Sequence, residues 1–200
     1  MSLSIGIHTT YARFNIDYGI AYSGQMHFDS ELNCRWKPAK AYNWYISSRL
    51  IGYHSMYLYS PSAMTWTPLF SYAVIRSVIS TTYATGGCMA LLKTIEYTAR
   101  NSDYVDYDKT FSVQPYIGIT HTIHVSKKWD IELPFGGTFF QDGMWVSGEM
   151  IMLFHASSHN HAIRNKMYFA TGVRWIGAFV YANDYSENAL WLPLRIGYYF

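Results

Sequence analysis

The sequence predicts an all-β fold, an antiparallel transmembrane β-barrel of about ten strands with eight as the alternative. Three observations predict it. First, apolar residues recur at every second position through most of the chain, the mark of strands with two unlike faces. Second, charged residues make up only 14% of the 200 residues and aromatics 18%, including 19 Tyr, 7 Trp and 11 Phe; soluble domains carry about 25% charge. Third, mean hydropathy is nonetheless −0.04. Helical membrane proteins gather apolar residues into runs, whereas barrels dilute them by alternation. The best helical candidate, Leu50 to Ile75, lacks Asp, Glu, Lys and Arg but contains His54, Pro61, Pro68 and many hydroxyls. It is too polar and too broken for the ~20 apolar residues a spanning helix needs. The length fits one domain over residues 1–200.

In chain order, the first alternation runs from Leu3 to Tyr22, with a phase change near Tyr11-Ala12 that signals a bulge or two strands. Ala12, Phe14, Ile16, Tyr18, Ile20 and Tyr22 oppose Arg13, Asn15, Asp17 and Gly19. After a turn at Ser23-Gly24, Met26, Phe28, Leu32, Cys34 and Trp36 oppose Gln25, His27, Asp29, Glu31, Asn33 and Arg35. Lys37–Lys40 is a short turn. Tyr42, Trp44, Ile46 and Leu50 then oppose Asn43, Ser47 and Arg49. Tyr53 to Ser62 is aromatic and ambiguous; Met64, Trp66, Phe70, Tyr72 and Val74 form the next strand face. Ser77 to Gly87 is expected to be a long connection ending at Gly86-Gly87. Cys88 to Ala99 fits least well, because Lys93 falls on the face of Met89, Leu91, Ile95 and Tyr97.

Arg100 to Lys109, the most charged stretch, is expected to be an exposed loop. Phe111 to Val125 and Trp129 to Phe139 make a hairpin about Ser126-Lys127-Lys128. Gln141-Asp142-Gly143 turns the chain into Met144 to Phe154, a strand with Ser147, Glu149, His155 and Ser157 on its other face. A polar connection, Ser158 to Lys166, leads to Met167–Tyr181, which carries Gly172 and Arg174 opposite its apolar face; Ala182 to Asn188 is the last loop. Ten strands put both termini at one end, with the turns Lys37–Lys40 and Ser126–Lys128. The loops 100–109 and 182–188 fall at the other.

The chain closes with Ala189 to Phe200. Leu190, Leu192, Leu194, Ile196, Tyr198 and Phe200 alternate with Ala189, Trp191, Pro193, Arg195, Gly197 and Tyr199. A terminal strand of large alternating apolar residues ending in Phe resembles that of bacterial outer-membrane β-barrel proteins. The resemblance implies residence in the bacterial outer membrane, contact with membrane lipids or lipopolysaccharide, and recognition of the last strand by the barrel-insertion machinery. Met1–Ile5 has neither the basic start nor the long apolar core of a signal peptide, so the expectation is a mature exported chain with an added Met.

Assigning each uncharged apolar face to lipid leaves Arg13, Asp17, Asp29, Glu31, Arg35, Arg49, Glu96, Arg100, Asp130, Glu132, Glu149, Arg174 and Arg195 on the opposite faces. Six arginines and seven acids, with no lysine, predict an ion-paired lumen, since the guanidinium fork bridges two carboxylates. Barrels this small are largely filled by side chains. The proposed lumen network is Arg13, Asp29, Glu31, Arg35, Arg49, Glu132, Glu149, Arg174 and Arg195. Tyr22, Trp36, Tyr42, Trp66, Trp129, Trp145, Tyr181 and Tyr198 are expected in interfacial girdles. A soluble lipocalin-like barrel would instead show charged outer faces.

One stretch has catalytic potential, Leu153 to His161, L-F-H-A-S-S-H-N-H. His155 and Ser157 share a strand face, as a base and nucleophile of acyl transfer would. Glu149, on the same face, is roughly 20 Å away in an extended strand, too far to orient the histidine. The element is similar to the His-x-Ser-Asn of outer-membrane phospholipases and lipid A deacylases, which implies His155 as base and Ser157 as nucleophile, with Ser158 where that family has Asn. No acid follows in the next strand. Metal binding by His155, His159 and His161 lacks a nearby acid, so no metal site is assigned, and no cofactor is expected. Net charge +2, with no basic run longer than Lys127-Lys128, gives no nucleic-acid footprint. Cys34 and Cys88 make neither a metal motif nor a disulfide framework, though a single disulfide is open to them. The functional expectations are therefore a structural or ligand- and partner-binding barrel acting through its exposed loops, a lipid A or phospholipid acyl hydrolase, or a small channel.

Overall fold

A computed structural model describes residues 13–23, 27–38, 43–55, 63–98, 105–126, 128–140, 143–156, 166–180 and 185–199. They form ten strands: β1 (Arg13–Ser23), β2 (His27–Lys37), β3 (Trp44–Ser55), β4 (Ala63–Arg76), β5 (Ser80–Thr98), β6 (Val105–His124), β7 (Trp129–Phe140), β8 (Gly143–His155), β9 (Lys166–Val180) and β10 (Tyr185–Tyr199). Each pairs antiparallel with the strand before and after it, and β1 pairs with β10, so the sheet closes. Closure gives every strand a hydrogen-bonded neighbour on both sides over the body of the barrel. The first residue of β1 and the last of β10 share one end, the near end. The connections after β2, β4, β6 and β8 also lie there, and those after the odd-numbered strands lie at the far end.

The faces sort as alternation dictates. Leu190, Leu192, Leu194 and Ile196 point outward, each more than half exposed, while Trp191, Pro193 and Arg195 between them are buried. Tyr18, Ile20, Phe70, Ile117, Phe135 and Met150 are likewise exposed. Asp29, Glu31 and Arg174 are at most 1% exposed. The apolar outer wall is inverted relative to a soluble barrel, which would hide such side chains.

Three connections differ from expectation. Ser77 to Gly87 is not a long connection. Ser77 and Ser80 close a tight turn, Ser77 N–H donating to the Ser80 carbonyl at 2.8 Å and Ser80 N–H to Ser77 Oγ at 3.0 Å. From Ser80 the chain is already β5, and Gly86-Gly87 lies inside the strand. A Cβ on Gly87 would run into the Pro68 carbonyl of β4, so the glycine there permits a close backbone approach rather than a turn. The loop expected over Arg100–Lys109 gives way to strand at Val105, and that over Ala182–Asn188 gives way at Tyr185. The β5–β6 ladder continues to Thr98↔Val105, whereas β4 pairs with β5 only as far as Lys93 and β6 meets β7 only from Tyr116. This hairpin therefore outruns its neighbours at the far end.

β5 also turns its faces the other way. Tyr83 and Met89 are buried on the inner side, so the odd positions assigned to lipid line the interior. The side chains of Lys93, Glu96 and Arg100 lie outside the described residues, as does the phase change near Tyr11-Ala12. Among the girdle residues, Tyr22, Trp36, Trp66 and Trp129 are exposed. Trp145 pairs with Thr138, itself buried inside, and so belongs to the inner face. Tyr42 and Tyr181 lie outside the described residues. At the near end the outer aromatics touch: Trp36 and Trp44 meet edge to face at 5.6 Å, and Trp129 lies 4.8 Å from Phe154. Cys34 and Cys88 are free thiols.

Candidate functional site

The interior is built on two unlike walls. On β4–β6 and the far half of β7 many inward positions are hydroxyls, with Thr65, Thr67, Ser71, Thr120 and Thr138 buried. The Ser71 and Thr85 hydroxyls lie 3.0 Å apart, and Thr138 donates to the Pro115 carbonyl at 2.7 Å. The charges stand chiefly on the other strands, with Asp130 and Glu132 near the start of β7.

Arg174, from β9, uses three nitrogens. Nε donates to Glu149 Oε1 at 2.8 Å, one terminal nitrogen to Asp29 Oδ2 at 2.7 Å, and the other to Glu31 Oε2 at 2.5 Å. Arg195, from β10, bridges Glu31 and Glu149, the latter at 3.0 Å. Arg49, from β3, does the same at 2.7 Å and 2.5 Å. Three arginines thus meet three carboxylates, with no excess charge in the cluster. β3 and β8 stand five strands apart in a ten-strand ring, so the Arg49–Glu149 pair crosses the full width of the lumen. Desolvating ions is costly, and close pairing of opposite charges offsets that cost, although Asp29 Oδ1 and Arg49 Nε are buried without a hydrogen-bond partner among the described residues.

A second bridge lies toward the near end. Arg35 of β2 grips Glu132 of β7 through two bonds of 2.8 and 3.1 Å, again across the ring, with its guanidinium 4.8 Å from the Tyr45 ring centroid. Beside it Tyr168 donates to Asp17 at 2.5 Å and Asn33 to Asp17 at 2.7 Å. The Tyr168 ring also covers Gly197, where a Cβ would collide with it; an aromatic on one strand commonly shields a glycine on the next. Between these walls lies a cavity of about 120 Å³, bordered by Arg35, Arg49, Glu132, Glu149, Ser71 and Thr120.

Eight of the nine residues assigned to the lumen therefore join these two ion-paired groups: Asp29, Glu31, Arg49, Glu149, Arg174 and Arg195 in one, Arg35 and Glu132 in the other. Arg13 opens β1, but its side chain lies outside the described residues.

The geometry on its own supports a fold assignment. A closed antiparallel ladder, oily outside and ionic within, is the architecture of an outer-membrane β-barrel. No family model matches the chain, and no curated protein matches it. Among solved structures, it is similar to the N-terminal β-barrel domain of Pseudomonas aeruginosa OprF. That match has 9% identity and a TM-score of 0.46, covering 94% of this chain and 97% of the other. It is also similar to the outer membrane protease OmpT from Escherichia coli, at 8% identity and a TM-score of 0.39, with 94% of each chain covered.

The histidine site is placed in part. His155 ends β8 at the near rim, 4% exposed and turned into the barrel. Its Nε2 lies 2.9 Å from Asp130 Oδ2, while His124 Nδ1 lies 2.8 Å from Asp130 Oδ1. An acid does orient His155, and it comes from the preceding strand rather than the following one. The signal was available: the β7–β8 turn pairs Phe140 with Gly143, and counting back sets His155 N–H on the Lys128 carbonyl at 2.9 Å, with Asp130 close by on the inner face. Ser157 and Ser158 lie outside the described residues, as do His159 and His161. Among the described residues no cluster of three or more His, Cys, Asp or Glu is arranged to hold a metal ion.

Proposed function

We propose that this chain is an integral barrel of the bacterial outer membrane with a lumen sealed by ion pairs, serving as a structural or binding barrel through its far-end loops. The observation that carries this reading is the meeting of Arg49, Arg174 and Arg195 with Asp29, Glu31 and Glu149 across the interior. An open pore of this strand number would have to part those ions and leave them unpaired. The apolar outer wall fits surrounding membrane lipid or lipopolysaccharide, and the last strand fits recognition by the barrel-insertion machinery. The experiment is reconstitution of the folded protein into planar bilayers. Current at the bilayer baseline is expected. Steady single-channel steps from the unmodified protein would overturn the sealed lumen and favour the small channel.

A second reading, a lipid acyl hydrolase, is favoured by the Asp130–His155 pair, since a base held by an acid is the frame of nucleophilic acyl transfer. The inward, buried setting of His155 weighs against it, because an acyl substrate would have to enter the near mouth. On this reading Ser157→Ala abolishes hydrolysis of lipid esters while the barrel still folds. Absent hydrolysis by the parent, or equal hydrolysis by the variant, removes it.

A further inference from the structure

We propose that the near mouth of the barrel binds a compact multivalent anion bearing phosphate groups, taken up from solvent. The inference needs only the closed ring of strands and stands apart from the lipid reading above. Its basis is where the chain puts its charges. A net charge of +2 hides a separation along the barrel axis. Residues 1–12 and the near-end connections contain Lys40, Lys127, Lys128 and Arg164 and no Asp or Glu, whereas the far-end connections carry Asp103, Asp142 and Asp184 against Arg100 alone. Strand ends add to the near side. Arg13 opens β1, Lys37 ends β2, Arg76 ends β4, Lys128 directly precedes β7 and Lys166 opens β9. Five of the ten strands therefore bring a base to one rim.

The register sets this rim around the lumen rather than against lipid. Lys37 Nζ stands 6.0 Å from the ring centroid of Tyr83, which is buried on the inner side. Arg13 lies directly across the ladder from Lys37. Arg76 stands on the ladder line of Thr81, Thr122 and Glu132, and Glu132 reaches inward to Arg35. Lys128, which is exposed, keeps the alternation of Asp130 and Glu132, and Lys166 holds the position two before inward-facing Tyr168. The acids nearest this mouth are already engaged: Asp130 by His124 and His155, Glu132 by Arg35, and Asp17 by Tyr168 and Asn33. The Arg35–Glu132 bridge crosses the ring just below and forms a floor. Like charges opposed across a ladder repel, and a concave site lined by one sign of charge concentrates counter-ions. Lysine meets phosphate as a point charge and arginine meets it as a fork. A phosphate chain also delivers its charge in less space than a peptide, which brings at most one carboxylate per ~3.3 Å of extended chain.

The test is equilibrium dialysis of the full chain, folded in a non-ionic detergent, against radiolabelled tripolyphosphate. Saturable binding is expected at about 0.01 M salt, weakened at least ~10-fold at about 1 M, where screening is nearly complete. Lys37→Gln and Lys128→Gln should each weaken it by about fivefold, the effect of one lysine beside an anionic surface. Lys109→Gln, at the far end, should leave it unchanged. Heat-modifiable gel mobility shows that each variant is folded. Unsaturable uptake by the parent protein, or equal effects of the near and far substitutions, overturns the mouth as a site. Displacement by pentaglutamate at lower concentration than by unlabelled tripolyphosphate overturns the phosphate assignment and gives the mouth to an acidic peptide.

Discussion

Arg174→Met should lower the stability of the folded barrel by about 3–5 kcal/mol, the usual penalty for stranding buried charge by removing one partner. The arginine is 1% exposed and holds Asp29, Glu31 and Glu149 at once. Without it three carboxylates share two guanidinium groups. Arg195 and Arg49 already serve Glu31 and Glu149, so Asp29 loses the one arginine it is bonded to among the described residues. Urea titration in vesicles, following the folded form by its heat-modifiable gel mobility, measures the change. A loss below about 1 kcal/mol would show that the cluster contributes little to holding the barrel.

The second large effect concerns Arg49 and Glu149, the pair that spans the lumen. Glu149→Ser alone leaves three arginines against Asp29 and Glu31 and should cost about 3–5 kcal/mol. Adding Arg49→Ser restores the balance, two of each sign, and should return about 1–3 kcal/mol, the range of coupling between contacting groups. The double variant also removes two side chains that border the cavity and meet across the ring. It should therefore pass current in planar bilayers where the parent protein does not. A double variant that folds and stays electrically silent would place the seal elsewhere, at the Arg35–Glu132 bridge or in the loops.

Much of this fold was legible because lipid and lumen demand opposite chemistry from alternate residues. The rule reads easily in β2 and β10, where Asp29, Glu31 and Arg35 or Trp191 and Arg195 stand against mainly apolar partners. It failed at β5 for a physical reason. The described inner wall there is made largely of hydroxyls, Tyr83 and Met89, so neither face announces itself and the greasier one reads as lipid-facing. The Ser77–Ser80 turn is hidden by Gly86-Gly87, of which Gly87 answers to the Pro68 backbone across the ladder, a contact no local reading contains. Trp145 was misplaced because an indole suits a membrane interface and a packed interior equally. Asp130 is not legible from the strand that follows His155, because a strand in a barrel has a neighbour on either side.

The ionic cluster also bears on how the cylinder assembles. Glu31 lies 143 residues from Arg174 and 164 from Arg195. β2 reaches β9 and β10 most directly across the seam between β1 and β10. A sheet that has not yet zipped shut carries acids at its leading margin and guanidinium groups at its trailing one, all facing each other's absence in a medium that solvates ions poorly. Each margin is tolerable only in the other's company. The entropic cost of so distant a reunion grows only slowly with the length of chain between, and the clasp of opposite charges is gained at the moment the last joint forms.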